Sequence, residues 1–249
     1  DNDLETASTY LREALVLQQE QGIENEAVAI TLSNIGKLYA RQGDWNKSEK
    51  YFQQAFDLQE RTSPNNYEWF YVAYGVLGTL HFDTQRWDLA EEYYKKALSA
   101  NQHLPLVRHY NEADPHLSLS MVFHQKQALH TALFHIERAL ENWEKAIDFE
   151  EKTDNRLLFN IRCKQLAIHL SLLKTTTPLT LYLTTALQLL PPIHQQIKDL
   201  RQNIFQEADQ LSFNQKITHF YQLATDLLYE QHLLKPNTKT LEAIFVLSE

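Results

Sequence analysis

Residues 32–55 read LSNIGKLYARQGDWNKSEKYFQQA, and residues 74–97 read YGVLGTLHFDTQRWDLAEEYYKKA. The second segment repeats the pattern of the first at a constant spacing of 42 residues, most visibly at Gly36 and Gly78, which each follow an apolar residue. Self-similarity at one fixed period of this length is the signature of a helical solenoid. The pair of segments therefore predicts a chain built from repeated helical hairpins.

Each repeat carries two apolar stripes with helical spacing. Leu32, Ile35 and Tyr39 stand at positions i, i+3 and i+7, and a second stripe runs through residues 48–55. A small residue at Gly36, and at Gly78 in the second copy, lets the two helices of each hairpin lie close together. Because one hairpin cannot bury both stripes alone, such hairpins stack in runs of about three or more.

This spacing resembles the tetratricopeptide repeat (TPR), whose usual period is about 34 residues. The longer period is similar to that of kinesin light chains and related bacterial proteins, and residues 31–39 match the first-helix pattern of that form. The resemblance implies a right-handed α-α superhelix whose concave face binds a partner, with Asn34 holding the backbone of a bound peptide. The second copy departs from the pattern, because Val76, His81 and Gln85 replace its Asn, Tyr and Gly.

We predict an all-α protein with TPR-like repeats in residues 1–154 and a divergent helical section in residues 155–249, as a cap or a separate bundle. A total of 5 glycines and 7 prolines in 249 residues supports the helical prediction. Since the chain opens on a second helix, we expect a piece of a longer protein with an apolar face exposed on that helix. The register divides the repeat section into a half repeat and three repeats, namely 1–21, 26–62, 67–102 and 113–152.

Local signals predict where the helices begin and end. Asp44 is placed to cap the helix that follows it, and residues 63–66 form a loop. An irregular linker is predicted over residues 103–114, with Asp114 as a cap and Pro115 in the first helical turn. Pro191 and Pro192 are predicted to end one helix and start another. The predicted helices outside the first repeat are 67–84, 87–102, 178–190, 193–210, 213–234 and 237–247.

Composition excludes several classes of function. The net charge of −9 argues against general binding of nucleic acid or of an anionic membrane, since both require a basic face. No run approaches the roughly 18 apolar residues of a membrane span. The single cysteine, Cys163, excludes an internal disulfide framework and a multi-cysteine metal site. We therefore expect a cytoplasmic protein that does not insert into a membrane.

Residues suited to catalysis are missing from the pattern. The sequence has no glycine-rich phosphate loop and no nucleophile elbow, so we expect neither an enzyme nor a cofactor. The 11 histidines include no i, i+4 pair that would place two metal ligands on one helical face, so we expect no metal site. His81, Trp45 and Trp87 occupy core positions of the repeat.

Partner binding is instead expected on the first helices, which line the concave face of such a solenoid. Lys37 and Arg41, one turn apart, suit a carboxylate or other acidic feature of a peptide or helix, although solvated cations on a helix are also ordinary. Asn34 stands in mid-helix, where an amide costs helix propensity. The predicted partner-binding residues are Asn34, Lys37, Arg41, Val72, Thr79, Phe82, Met121, His124, Gln125 and Asn160.

Two functions agree with this pattern. One is a protein-protein interaction module that acts as a scaffold or adaptor. The other is a regulatory domain of a larger bacterial signalling protein, which senses a peptide and changes shape on binding it. The divergent C-terminal section is a further candidate interface, through which the chain would self-associate.

Overall fold

Ten helices and no strand make up the described part of this computed structural model, which comprises residues 2–104, 109–148, 155–175, 179–203, 207–240 and 243. The predicted all-α class is confirmed. A further helical stretch begins at residue 238. The helices are α1 (Asn2–Glu20), α2 (Glu26–Arg41), α3 (Trp45–Thr62), α4 (Tyr67–Asp83), α5 (Trp87–Gln102), α6 (His109–Gln125), α7 (Leu129–Asp148), α8 (Asn155–Thr175), α9 (Leu179–Asn203) and α10 (Glu207–Leu234).

The chain divides into two compact units, unit 1 with residues 1–118 and unit 2 with residues 119–249, and the boundary falls inside α6. In unit 1, α2 packs on α3 and α4 packs on α5. The predicted stripes form the core, since Ile35, Phe52 and Leu77 are all buried. The predicted limit of the repeats at residue 154 lies outside the described residues and stays a prediction.

Close approach within the hairpins α2–α3 and α4–α5 depends on a glycine beneath an aromatic ring. A Cβ atom built on Gly36 would lie 2.9 Å from Cδ2 of Phe52, and one on Gly78 would lie 2.5 Å from Cε1 of Tyr94. Real Cβ atoms do not approach carbon atoms so closely, so any side chain would push the two helices apart. The predicted role of both glycines is confirmed.

The turn between the helices of a hairpin recurs at the same period. Gly43, Gln85 and Gln127 all have a left-handed backbone, with φ of 77°, 59° and 59°. A residue in this conformation ends a helix, because it turns the N–H groups that follow back towards the last carbonyl groups of the helix. The same hydrogen bond closes each turn: Asp44 N–H to Tyr39 O (3.0 Å), Arg86 N–H to His81 O (2.8 Å) and Ala128 N–H to Phe123 O (2.9 Å). The repeat thus continues at positions where the glycine has been lost.

The predicted proline cap before the repeat at 113–152 is wrong, and so is the predicted linker from His109 onward. Residues 105–108 lie outside the described part, but α6 already begins at His109 and contains Pro115. A proline inside a helix removes one backbone hydrogen bond and costs about 3 kcal/mol. Ala113, Pro115 and Leu117 are buried, and their burial outweighs that cost.

A second proline-based prediction fails in unit 2. The helices predicted at 178–190 and 193–210 are instead one helix, α9, which passes through Pro191 and Pro192, and α10 begins at Glu207. The buried face of α9 continues across the prolines with helical spacing, and it packs on α8 and α10. Tertiary packing therefore overrides the local break. The buried residues of this face are Leu183, Ala186, Ile193, Ile197 and Leu200.

His169 is buried on α8 in unit 2, with 4% of its surface exposed. Among the described residues, neither ring nitrogen has a hydrogen-bond partner. Burial lowers the pKa of His169 from 6.5 to about 4. The folded unit therefore holds this ring in its neutral form.

Replacement of Gly78 by alanine is expected to destabilise unit 1. The overlap with Tyr94 costs about 1–3 kcal/mol, which exceeds the gain of about 1 kcal/mol in helix propensity. Gly75 of the same helix is the matched control, because a Cβ there meets no atom within 4 Å. Gly75→Ala should therefore raise the midpoint of urea unfolding measured by circular dichroism, and Gly78→Ala should lower it. Equal midpoints would contradict the packing argument.

Replacement of Gln85 by glycine is expected to stabilise the chain by about 0.5–1 kcal/mol, because glycine adopts a positive φ without steric cost. Gln42, which has a right-handed backbone at the end of α2, serves as the control. Gln42→Gly should destabilise by a similar amount, since it only adds freedom to the unfolded chain. Thermal unfolding of both variants decides the matter, and a loss of stability in Gln85→Gly would refute the assignment.

Stability should fall as the pH is lowered from about 6.5 towards 4. In that window His169 is protonated in the unfolded chain and neutral in the folded chain. The unfolded state therefore binds more protons, and the free energy of unfolding falls by about 3 kcal/mol. Urea unfolding between pH 4 and 7 should show a smaller pH dependence for His169→Leu. His219→Leu, at an exposed histidine of α10, should keep the wild-type dependence. A His169→Leu curve parallel to wild type would contradict this account.

Candidate functional site

A groove of about 490 Å³ opens on unit 1, and α4 supplies most of its lining. Val72, Val76, Thr79 and Asp83 stand at i, i+4, i+7 and i+11, and so share one face of α4. We call this site the α4 groove. It is lined by Val72, Gly75, Val76, Thr79 and Asp83 of α4, Ala40 and Arg41 of α2, Asp114 and Pro115 of α6, and Trp45, Tyr71, Leu80 and Tyr94.

The α4 groove is open to solvent at its apolar centre. Val72 is 42% exposed, although the residues on the opposite face of α4 are buried. Gly75 leaves free space above the helix backbone, since a Cβ there would have no heavy atom within 4 Å. A glycine at such a place allows the backbone of a ligand to approach closely.

Tyr94 ties the groove to the hairpin beneath it. Thr79 Oγ1 donates its proton to the Gly75 carbonyl (3.1 Å), so the Tyr94 hydroxyl is the donor in the 3.2 Å bond between the two hydroxyls. Tyr94 is 5% exposed, and burial raises its pKa to about 12. A hydrogen bond with Ser118 of α6 completes the link. The wall of the groove is therefore fixed by a buried, protonated tyrosine.

Charges of both signs occur along the first helices. Arg41 is exposed on α2, and Lys37 is half-buried one turn before it. Desolvation, and then the charge of Arg41, lower the pKa of Lys37. Asp83 and Asp114 are exposed on α4 and α6, and the protein around the groove desolvates both carboxyls and raises the pKa of each.

The structure brings together three of the predicted binding residues of unit 1. Arg41, Val72 and Thr79 line the α4 groove. Asn34 and Lys37 are half-buried on α2, outside the lining. Phe82 also lies outside it, because its ring packs on the edge of Trp87 at 5.0 Å and is half-buried there.

The other four predicted residues belong to unit 2. Met121, His124 and Gln125 lie on α6, and Asn160 lies on α8. Ser171 donates to the Ala167 carbonyl (3.0 Å), so His124 Nε2 carries the proton of its 2.8 Å bond to Ser171 Oγ. Burial, and then the charge of Lys164, lower the pKa of His124. This hydrogen bond joins α6 to α8, so His124 has a structural role. Met121 and Asn160 are half-buried and Gln125 is exposed.

Several lining residues escaped the sequence analysis. Asp114 was assigned to a helix cap, although it stands 42 residues after Val72 and so occupies the same position of the next first helix. The register was the signal that would have found it. Trp45 was expected in the core; it is half-buried and packs against the core of unit 1, and it also lines the groove. His81, by contrast, is confirmed as a core residue, 1% exposed and stacked on Tyr93 at 5.1 Å.

The described ranges contain no group of three or more histidine, cysteine or acidic residues that would hold a metal ion. The thiol of Cys163 is half-buried, and burial raises its pKa to about 12, so it is a poor nucleophile. No helix within those ranges is long and apolar enough to cross a membrane. The α4 groove offers a ligand a concave shape, an apolar surface and charged side chains.

Antiparallel helical hairpins whose first helices line one groove define a helical-repeat interaction module. The tetratricopeptide repeat model matches residues 1–61 and 70–145, more than half of the chain, and the chain belongs to this family. A solved structure with a similar fold is "Crystal structure of BtubC (BKLC) from P. vanneervenii". The two share 19% identity over 97% of this chain and 90% of that chain, with a TM-score of 0.60. No curated protein matches the sequence.

These comparisons confirm the predicted TPR family and the solenoid fold. TPR proteins are in general interaction scaffolds whose repeats bind other proteins, and such modules are typically not catalytic.

Proposed function

We propose that this chain is a scaffold or adaptor that binds a peptide or helical segment of a partner protein in the α4 groove. The observation that carries the proposal is an open apolar groove on the face of the first helices, with free space above Gly75. A groove of this kind takes an extended or helical segment through a few side-chain anchors.

Binding energy comes from apolar contact in a groove that is already formed. Val72, Val76 and Trp45 offer their side chains to an apolar anchor of the partner. Full burial of one leucine-sized side chain contributes about 1.5–3 kcal/mol. The bonds that join Thr79, Tyr94 and Ser118 hold the wall in place before the ligand arrives, so less ordering is needed on binding.

An acidic feature of the partner would bind near α2. Desolvation, and then repulsion by the charge of Arg41, lower the pKa of Lys37. A carboxylate placed beside them would relieve that repulsion and form charge-assisted hydrogen bonds. Asn34 lies one turn before Lys37 on the same face of α2 and would accept or donate hydrogen bonds to a peptide backbone.

Selection of random 12-residue peptides on the full chain tests the proposal. Selected peptides should bind Val72→Arg at least tenfold more weakly than wild type, because the new side chain fills the groove. The matched control is Leu89→Arg, at an exposed apolar residue of α5 outside the lining, and it should bind like wild type. Fluorescence anisotropy with labelled peptides gives the affinities, and circular dichroism confirms that both variants fold.

Equal affinity of the selected peptides for Val72→Arg and wild type would place binding elsewhere and refute the proposal. The same peptides report on the acidic feature. Those that carry an aspartate or glutamate should lose affinity for Arg41→Glu, whereas peptides without an acidic residue should not.

A further inference from the structure

Two carboxylates, Asp83 of α4 and Asp114 of α6, line the α4 groove. Both side chains are exposed to solvent, so a ligand has access to their oxygen atoms. Both are also surrounded by enough protein to be desolvated, which raises their pKa. They are therefore charged groups held in a concave, partly dehydrated place.

Neither carboxylate has a hydrogen bond or an ion pair with any residue that the structure describes. Some of the other acidic residues of unit 1 do have a cationic partner: Glu49 pairs with Arg86 (3.1 Å), Glu91 with Lys95 (2.6 Å) and Glu92 with Lys96 (2.7 Å). A desolvated carboxylate without a counter-charge is stabilised when a cation comes within about 4–6 Å of it.

The net charge of unit 1 favours a cationic ligand as well. Residues 1–118 contain 18 aspartates and glutamates against 10 lysines and arginines. Such an excess attracts a basic segment from solution and increases its association rate. Val72 and Val76 lie on the same wall as Asp83, so the alkyl stem of a lysine or arginine has apolar surface to pack on.

We propose that the α4 groove binds a lysine or arginine side chain of the partner segment, with its charged group beside Asp83 and Asp114. This inference rests on the proposed function and adds the charge class of the ligand. It also gives the bound segment a direction. Arg41, which occupies on α2 the position that Asp83 occupies on α4, repels the cation and keeps it towards α6.

The test uses peptides selected on the full chain whose affinity depends on the groove. We expect them to contain a lysine or arginine at a fixed distance from an apolar residue. Replacement of that basic residue by norleucine, which keeps the stem and removes the charge, should weaken binding to wild type at least tenfold. The charge-removing protein variant Asp83→Asn/Asp114→Asn should bind the basic and norleucine peptides equally, within a factor of two.

Glu68→Gln is the matched control, because Glu68 is an exposed acidic residue of α4 outside the lining. It should bind the basic peptide tenfold or more better than the norleucine peptide, as wild type does. Affinity of wild type for the basic peptide should also fall as the pH is lowered from 7 to 4, since both carboxyls, whose pKa values are raised by desolvation, take up protons as the pH falls. The double variant should lose this pH dependence.

Two results would overturn the inference and leave groove binding intact. One is a set of groove-dependent peptides without an excess of lysine or arginine, and the other is equal binding of the basic and norleucine peptides to wild type. If no selected peptide depends on the groove, the proposed function fails, and this inference fails with it. If the double variant does not fold, the comparison of the two peptides on wild type still decides.

Discussion

The contact between a glycine and an aromatic ring is the constraint on which this architecture depends. Gly78 lies beneath the ring of Tyr94, and Gly36 lies beneath Phe52 in the hairpin before it. The close approach brings the buried stripes of the paired helices into contact. It leaves the outer faces of α2, α4 and α6 free to line a groove. Packing inside the hairpins and the binding surface therefore have one geometric origin.

Most of the fold could be predicted because its signals are local and repeated. The residues that define the hairpins recur every 42 positions, and so do the left-handed turns, even where Gln85 replaces glycine. The failures occurred at prolines. Pro115, Pro191 and Pro192 lie inside helices whose buried faces continue past them. Proline breaks helices locally, but a short stretch of sequence does not show how much of a helix face is buried by packing.

The candidate site could be predicted only in part. Arg41, Val72 and Thr79 were found because they lie off the apolar stripe of a first helix. Asp114 was missed because the proline after it suggested a cap. The desolvation of Asp83 and Asp114 depends on the protein surrounding the groove. Periodicity places a residue on a helix face, but it does not give its dielectric environment.

Tyr94 has two roles in one side chain, and a substitution that removes its ring abolishes both. Its ring covers Gly78 in the core, and its hydroxyl holds Thr79 at the wall of the groove. Folding and recognition are therefore thermodynamically linked through one side chain. A ligand that binds this wall would protect unit 1 against unfolding. If a substitution in the core beneath the groove weakens binding, the loss then reports a less ordered groove wall. It does not identify the substituted residue as a contact of the ligand.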